Sequence, residues 1–233
     1  AHQSLNTPAI GIGLPDVAYY EPCFGVEVEW ILMHALEQIR LRSESTYLRL
    51  TTMKVDQGLL TLPTEPDGLE RLRRGVIEGA YRLIDRSSLD GYDPTENVVH
   101  VFACGAVLPE AVLASESLLR EGVLANVINV TGPGPLYERY QAMVAASTRG
   151  EGDGLGDEFW DALVAPSERS APIVTALDGH PQALAWLGGV LNERAYPLGV
   201  TCFGQSGDPS DLYHEYGIDA DSIAAACFGA LGI

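Results

Sequence analysis

Residues 98–104, Val-Val-His-Val-Phe-Ala-Cys, form an almost unbroken apolar run. A strand that is apolar at nearly every position has no wet face, so it belongs in the middle of a parallel sheet covered on both sides. The segments after it repeat this pattern. Pro109 to Arg120 reads as a helix with its proline at the tolerated N-terminal position. Leu124 to Val130 is a strand, Leu136 to Ala146 a helix, Pro172 to Leu177 a strand, Gln182 to Glu193 a helix and Leu198 to Phe203 a strand. Two short helices follow, Ser210 to Tyr216 and Ser222 to Leu231. Strand alternating with helix predicts an α/β fold with a mostly parallel sheet and helices on both faces.

The first part of the chain is less regular. Residues 17–24 read as a short strand ending in a proline turn, and Gly25 to Ile39 carries apolar residues at helical spacing. Thr46 to Thr52 is β-rich and alternating. Prolines and glycines make residues 53–68 a loop, a short basic segment occupies 69–84, and 85–97 is rich in turn residues. Residues 149–156 read as another loop.

Charge narrows the function. The net charge of −18 argues against binding a phosphate backbone, which needs clustered Lys and Arg. Half of the 14 basic residues lie early, at Arg40, Arg42, Arg49, Lys54, Arg71, Arg73 and Arg74, and read as a solvated face. No apolar run is long enough to span a bilayer, so no membrane partner is expected. Cys23, Cys104, Cys202 and Cys227 are far apart in apolar contexts. That pattern fits core thiols in a reducing cytoplasm better than disulfides or zinc ligands.

Several short motifs invite a catalytic reading and fail it. Gly204-Gln205-Ser206-Gly207 is one residue short of a nucleophile elbow, and His214 lies on the next helix rather than in a later loop. The glycines read as a turn, and Asp208 or Ser210 as the cap of the following helix. Gly11-Ile12-Gly13 opens no helix after a strand and reads as a turn, not a dinucleotide fingerprint. His34 and His100 read as structural, while His180, before Pro181, lies in a turn after a strand, where a site role is conceivable.

Taken in order, the segments do resemble a family. F-G-Q-S-G followed by D-L-Y-H-E-Y-G-I-D-A is similar to the last segment of the transketolase superfamily, with its F-G-x-S-G strand end and L-x-x-x-Y-G helix. V-A-Y-Y-E-P-C-F-G-V-E-V-E-W-I-L-M-H-A-L resembles the late strand, proline turn and helix of that family's pyrimidine-binding domain. V-H-V-F-A-C-G-A-V-L-P-E-A-V-L resembles the opening of its C-terminal domain. Sugar transketolases end the late pyrimidine strand in Ser-Arg; here Thr51-Thr52 stands instead. The inserted L-E-R-L-R-R-G-V-I-E-G-A-Y-R-L is similar to an element of the homodimeric-type pyruvate dehydrogenase decarboxylating component, which also has Thr-Thr after the strand.

The resemblance implies residues 1–60 as the end of a pyrimidine-binding domain, 61–94 as a linker and 95–233 as a transketolase C-terminal-like domain. It implies part of a thiamine diphosphate enzyme that decarboxylates a 2-oxo acid such as pyruvate and passes the acyl unit to a lipoyl group. A transketolase-like carboligase and a non-catalytic assembly module are the alternatives. Ala1-His2-Gln3 resembles the transketolase T-H-Q-P, so His2 is the expected catalytic residue. Its imidazole could exchange a proton with a substrate carbonyl near neutral pH. Gly152-Asp153-Gly154 looks like the family's metal loop, but the partner Asn is missing and position 180 is His, so no metal ligand is expected within the chain. Thiamine diphosphate and Mg2+ would be held mainly by residues outside it. The N-terminal portion of a longer polypeptide, or a companion subunit in a homodimer or heterotetramer, would carry the diphosphate-binding domain. A lipoyl-domain protein is a further implied partner.

Overall fold

The structure is a computed structural model, and it describes residues 5–151 and 157–233. The first unit is a strand–helix–strand crossover. It comprises helix α1 (Thr7–Gly13), strand β1 (Val17–Tyr20), helix α2 (Gly25–Arg42) and strand β2 (Ser45–Leu48), with β1 and β2 paired in parallel. Glu27 starts α2 by accepting hydrogen bonds from the backbone N–H groups of Cys23 (2.7 Å) and Phe24 (2.9 Å), two donors a helix N-terminus otherwise leaves unpaired. Ile31 and Ala35, one turn apart, face inward, while Leu32, Met33, Leu36 and Ile39 are exposed.

Helix α3 (Pro66–Glu78) and strand β3 (Ala80–Ile84) follow. The next elements are β4 (Val98–Cys104), α4 (Leu108–Arg120), β5 (Leu124–Val130), α5 (Pro133–Thr148) and α6 (Glu158–Leu163). The chain continues through β6 (Ile173–Ala176), α7 (Gln182–Ala185), α8 (Leu187–Leu191), β7 (Ala195–Leu198), α9 (Pro209–Glu215) and α10 (Ala220–Leu231). Five strands form one sheet in the order β3-β5-β4-β6-β7, parallel except for the antiparallel edge strand β3. Every residue of β4 and β5 is buried. One sheet face packs on α4 and α10 through Val101, Leu118 and Ile223, and the other on α5 to α8 through Phe102, Leu136 and Trp160. The mostly parallel α/β sheet predicted from residue 98 onward is therefore present, with β4 and β5 at their predicted bounds.

Four local differences have physical causes. The stretch read as a linker supplies α3 and the edge strand β3, whose pairing with β5 is a tertiary contact that no local pattern announces. The last strand is Ala195–Leu198, not Leu198–Phe203. Pro197 spoils its local strand signal, yet proline is tolerated here because β7 is the opposite edge. Gly11-Ile12-Gly13 lies inside α1 rather than in a turn, and a Cβ on Gly11 would stand 2.5 Å from the Tyr19 ring, so this glycine serves close packing. Gln182 to Glu193 is two short helices that meet at Trp186, whose indole N–H donates to the Ala183 carbonyl (2.7 Å).

Candidate functional site

Three parallel strands end at the seam between the two-stranded unit and the five-stranded sheet, and each delivers a charged side chain. Glu21 follows β1, Arg49 follows β2 and Asp178 follows β6. Arg49 Nη1 donates to Glu21 Oε2 at 2.7 Å and to Asp178 Oδ1 at 2.6 Å, and its Nη2 donates to the Asp178 carbonyl at 3.1 Å. The Tyr19 hydroxyl donates to the other Glu21 oxygen. The Glu21 backbone N–H is tied to the Thr131 carbonyl just past β5 (2.7 Å). Gly105, just past β4, completes the wall at φ +57°; a Cβ there would strain the backbone and stand 3.1 Å from Glu21 Oε2. Carboxyl ends of parallel strands are where open α/β sheets gather polar function.

The electrostatics follow from burial. Glu21 is 1% exposed, and loss of water pushes its carboxyl up to about 7; Arg49 opposes this shift and Asp178 adds to it. A carboxyl so placed changes its charge near neutral pH, the property needed of a general acid or base. Burial also raises the neighbouring Cys104 thiol far above its ordinary value, with Glu21 adding to the effect, so it stays a neutral, unreactive thiol. Arg49 remains charged because the two carboxylates outweigh its own desolvation.

A second buried carboxylate lies deeper. Glu27 Oε1 accepts from the Tyr81 hydroxyl and the Asn129 amide, each at 2.7 Å, while its other oxygen holds the start of α2. Burial raises its pKa as well. Glu27 therefore ties α2 to β3 and β5, while the Glu21 cluster ties β1 and β2 to the end of β6.

His2 lies outside the described residues, as does Gly152-Asp153-Gly154. The chain three positions beyond His2 is placed, however. The Leu5 carbonyl accepts from the His180 N–H at 3.0 Å, and Pro8 packs against Gly179, immediately after Asp178. The half-buried His180 uses Nδ1 to accept from the Gln182 N–H (3.3 Å). His100 is buried between Asn126 and the Glu168 carbonyl, and burial lowers its pKa, which fits the structural role expected of it. His34 contacts Gln38 one helical turn away. Asp208 caps α9 by accepting from the Ser210 N–H at 3.1 Å, as the sequence predicts, whereas Gly204 and Gly207 are not among the positive-φ glycines. Cys202 is exposed, unlike the other three cysteines, because residues 199–203 leave the sheet. Arg49 departs from the solvated-face reading altogether. No local signal separates it from its basic neighbours; only Glu21-Pro22, an acid closing an apolar strand, marks the site in sequence. Among the described residues no three His, Cys, Asp or Glu side chains converge on a possible metal position, and no helix is long and apolar enough to cross a membrane.

No family model matches the chain. The pyruvate dehydrogenase E1 component of Escherichia coli (strain K12) is 24% identical over 243 residues, an alignment covering 99% of this chain and 24% of that protein. The transketolase of Leishmania mexicana superposes with a TM-score of 0.69 at 18% identity, over 99% of this chain and 28% of that one. A split-gene transketolase, solved as an inactive beta4 tetramer, superposes with a TM-score of 0.63 at 20% identity, over 99% of this chain and 62% of that one. The chain thus spans about a quarter or less of the length of the curated relatives it matches. Its fold is that of a transketolase C-terminal-like domain, and the resemblance to the transketolase superfamily holds in both sequence and structure.

Proposed function

We propose that this chain is part of a thiamine diphosphate-dependent 2-oxo acid dehydrogenase-like enzyme, which decarboxylates a substrate such as pyruvate and passes the acyl unit to a lipoyl group. The observation that carries this reading is the similarity to a pyruvate dehydrogenase E1 component along 99% of the chain. Thr51-Thr52 in place of Ser-Arg supports a 2-oxo acid over a phosphosugar. Residues 1–60 then close a pyrimidine-binding domain, and 95–233 form the C-terminal domain, joined through the segment that carries α3 and β3.

Among the described residues no three His, Cys, Asp or Glu side chains converge on one cation position, which supports a metal-bound diphosphate held elsewhere. Magnesium and thiamine diphosphate would be held by the N-terminal portion of a longer polypeptide or by a companion subunit, and the coenzyme would supply the electron sink for decarboxylation when bound. The exposed apolar face of α2, and a parallel pair only two strands wide, are the surfaces such a companion would cover. His2 would exchange a proton at the substrate carbonyl, and the docking of Leu5 against the turn after β6 supports this role.

The test is cofactor titration and product analysis on the chain with its companion. Binding of thiamine diphosphate and Mg2+, with acylation of a lipoyl acceptor from pyruvate and loss of that acylation in His2→Ala, supports the reading. Carbon–carbon bond formation with an aldehyde but no lipoyl acylation assigns a carboligase instead. No cofactor binding leaves an assembly module.

A further inference from the structure

The outer edge of β3 is unpaired among the described residues, and a groove lies over it. A hollow of about 260 Å³ is lined by Ala80, Tyr81 and Arg82 together. Consecutive strand residues point to opposite faces of a sheet, so a hollow that three in a row all line lies over the strand's edge, not over one face. An adjoining hollow of about 460 Å³ shares Tyr81 and Arg82 and continues past Leu83 toward Leu60. The two together follow the strand and have the width left between α3 on one side and α6 on the other.

Arginines outnumber acids along the first hollow, Arg71, Arg74, Arg82 and Arg139 against Glu78 and Glu158, on a chain of net charge −18. Arg71 and Arg74, one helical turn apart on α3, stand along it. Among the described residues neither is within salt-bridge distance of a carboxylate, whereas Arg82 is paired with Glu168 and Asp85, and Arg139 with Asp157 and Glu78. Arginines beside a sheet edge also discourage pairing with a second copy. Two β3 strands brought together would set Arg71 and Arg74 against the same residues of the other copy, like charge against like. The same arrangement favours a strand of opposite sign.

We propose that the groove over β3 is the docking site for an extended acidic segment of a partner polypeptide, which adds to the sheet as a sixth strand. Backbone hydrogen bonds to β3 would supply part of the affinity, and carboxylates clamped by Arg71 and Arg74 would supply the selectivity. The elongated shape favours a chain over a compact anion. This inference stands apart from the enzymatic reading, because it requires neither cofactor nor substrate.

The test uses the whole chain and fluorescein-labelled peptides of four Glu-Val repeats, read by anisotropy at low ionic strength. The acidic peptide is expected to bind, and to bind at least about tenfold more weakly to the R71A/R74A double variant. A Lys-Val counterpart, and a Glu-Val peptide N-methylated at alternate amides, are expected to show a similar loss. Arg74 and Arg71 are exposed, so circular dichroism of the double variant should match the parent. Absence of binding by the acidic peptide overturns the proposal, as does undiminished binding to the double variant. Equal binding of the N-methylated peptide overturns strand addition and leaves only a charged surface.

Discussion

The two sheets in this molecule follow different rules of construction. The five-stranded sheet is covered on both faces, and its strands β4 and β5 are buried at every residue. The two-stranded pair has two buried residues in β1 and none in β2, and its crossover helix turns a row of large apolar side chains outward. Parallel strands are normally stable only when sheltered on both sides, and a pair alone is marginal. The larger sheet is therefore held by its own core, whereas the smaller is held by its seam: Glu21 and Arg49 against Asp178, and Glu27 against Tyr81 and Asn129.

Removing the cation at the seam should break this contrast most sharply. Arg49→Met leaves two carboxylates facing each other without a partner, and loss of one member of a buried pair costs about 3–5 kcal/mol. Urea unfolding at pH 8 should show that loss. Hydrogen exchange should place it, with amides of β1 and β2 opening faster and those of β4 and β5 unchanged. Equal acceleration in both sheets would mean that the seam supports the whole molecule.

The proton on Glu21 gives a smaller effect with a definite sign. Its carboxyl is raised from 4.5 to about 7 in the folded chain, so between these values the folded state holds a proton the unfolded chain has released. The stability this contributes is complete below about pH 4.5 and fades as pH climbs through 7, by roughly 3 kcal/mol in total. Glu21→Gln should flatten that decline in a series of urea midpoints, leaving the part due to Glu27, whose shift has the same direction. An unaltered pH profile in the variant would place the titration elsewhere.

The smallest effect belongs to the outer face of α2. Leu36 is 62% exposed, so Leu36→Ser should change the stability of this chain by no more than about 0.5 kcal/mol. A loss above 1 kcal/mol by thermal unfolding would show that the face is already covered within the chain, and would erase the contrast between the halves.

The same contrast governs what could be read from the sequence. Continuous apolar runs announce strands buried on both faces, which is why β4 and β5 were legible to the residue. Strand β3 was not, since its sequence A-Y-R-L-I gains its place only by pairing with β5, and Arg82 within it turns to Glu168. The seam was hidden for a related reason. Glu21, Arg49 and Asp178 are far apart in the chain and meet only because three strands end together. A charged residue in sequence looks solvated by default; only burial makes Arg49 different from Arg40. The Gly204–Gly207 stretch lies in the loop between β7 and α9, and His100 is buried against Asn126 and the Glu168 carbonyl.

The attachment of Leu5 to His180, and of Arg49 to Asp178, sets an order for assembly on the ribosome. Translation delivers β1, α2 and β2 long before the turn they dock against has been made. Tyr20 and Ile31 find their shelter earlier, against Val76 and Tyr81, and Tyr19 against the start of α5, but Arg49 and Glu21 wait for Asp178 until that turn emerges. The ionic seam is thus the last part of the first unit to close, and a ribosome stalled before residue 178 would hold out a chain whose Arg49 still lacks its second carboxylate.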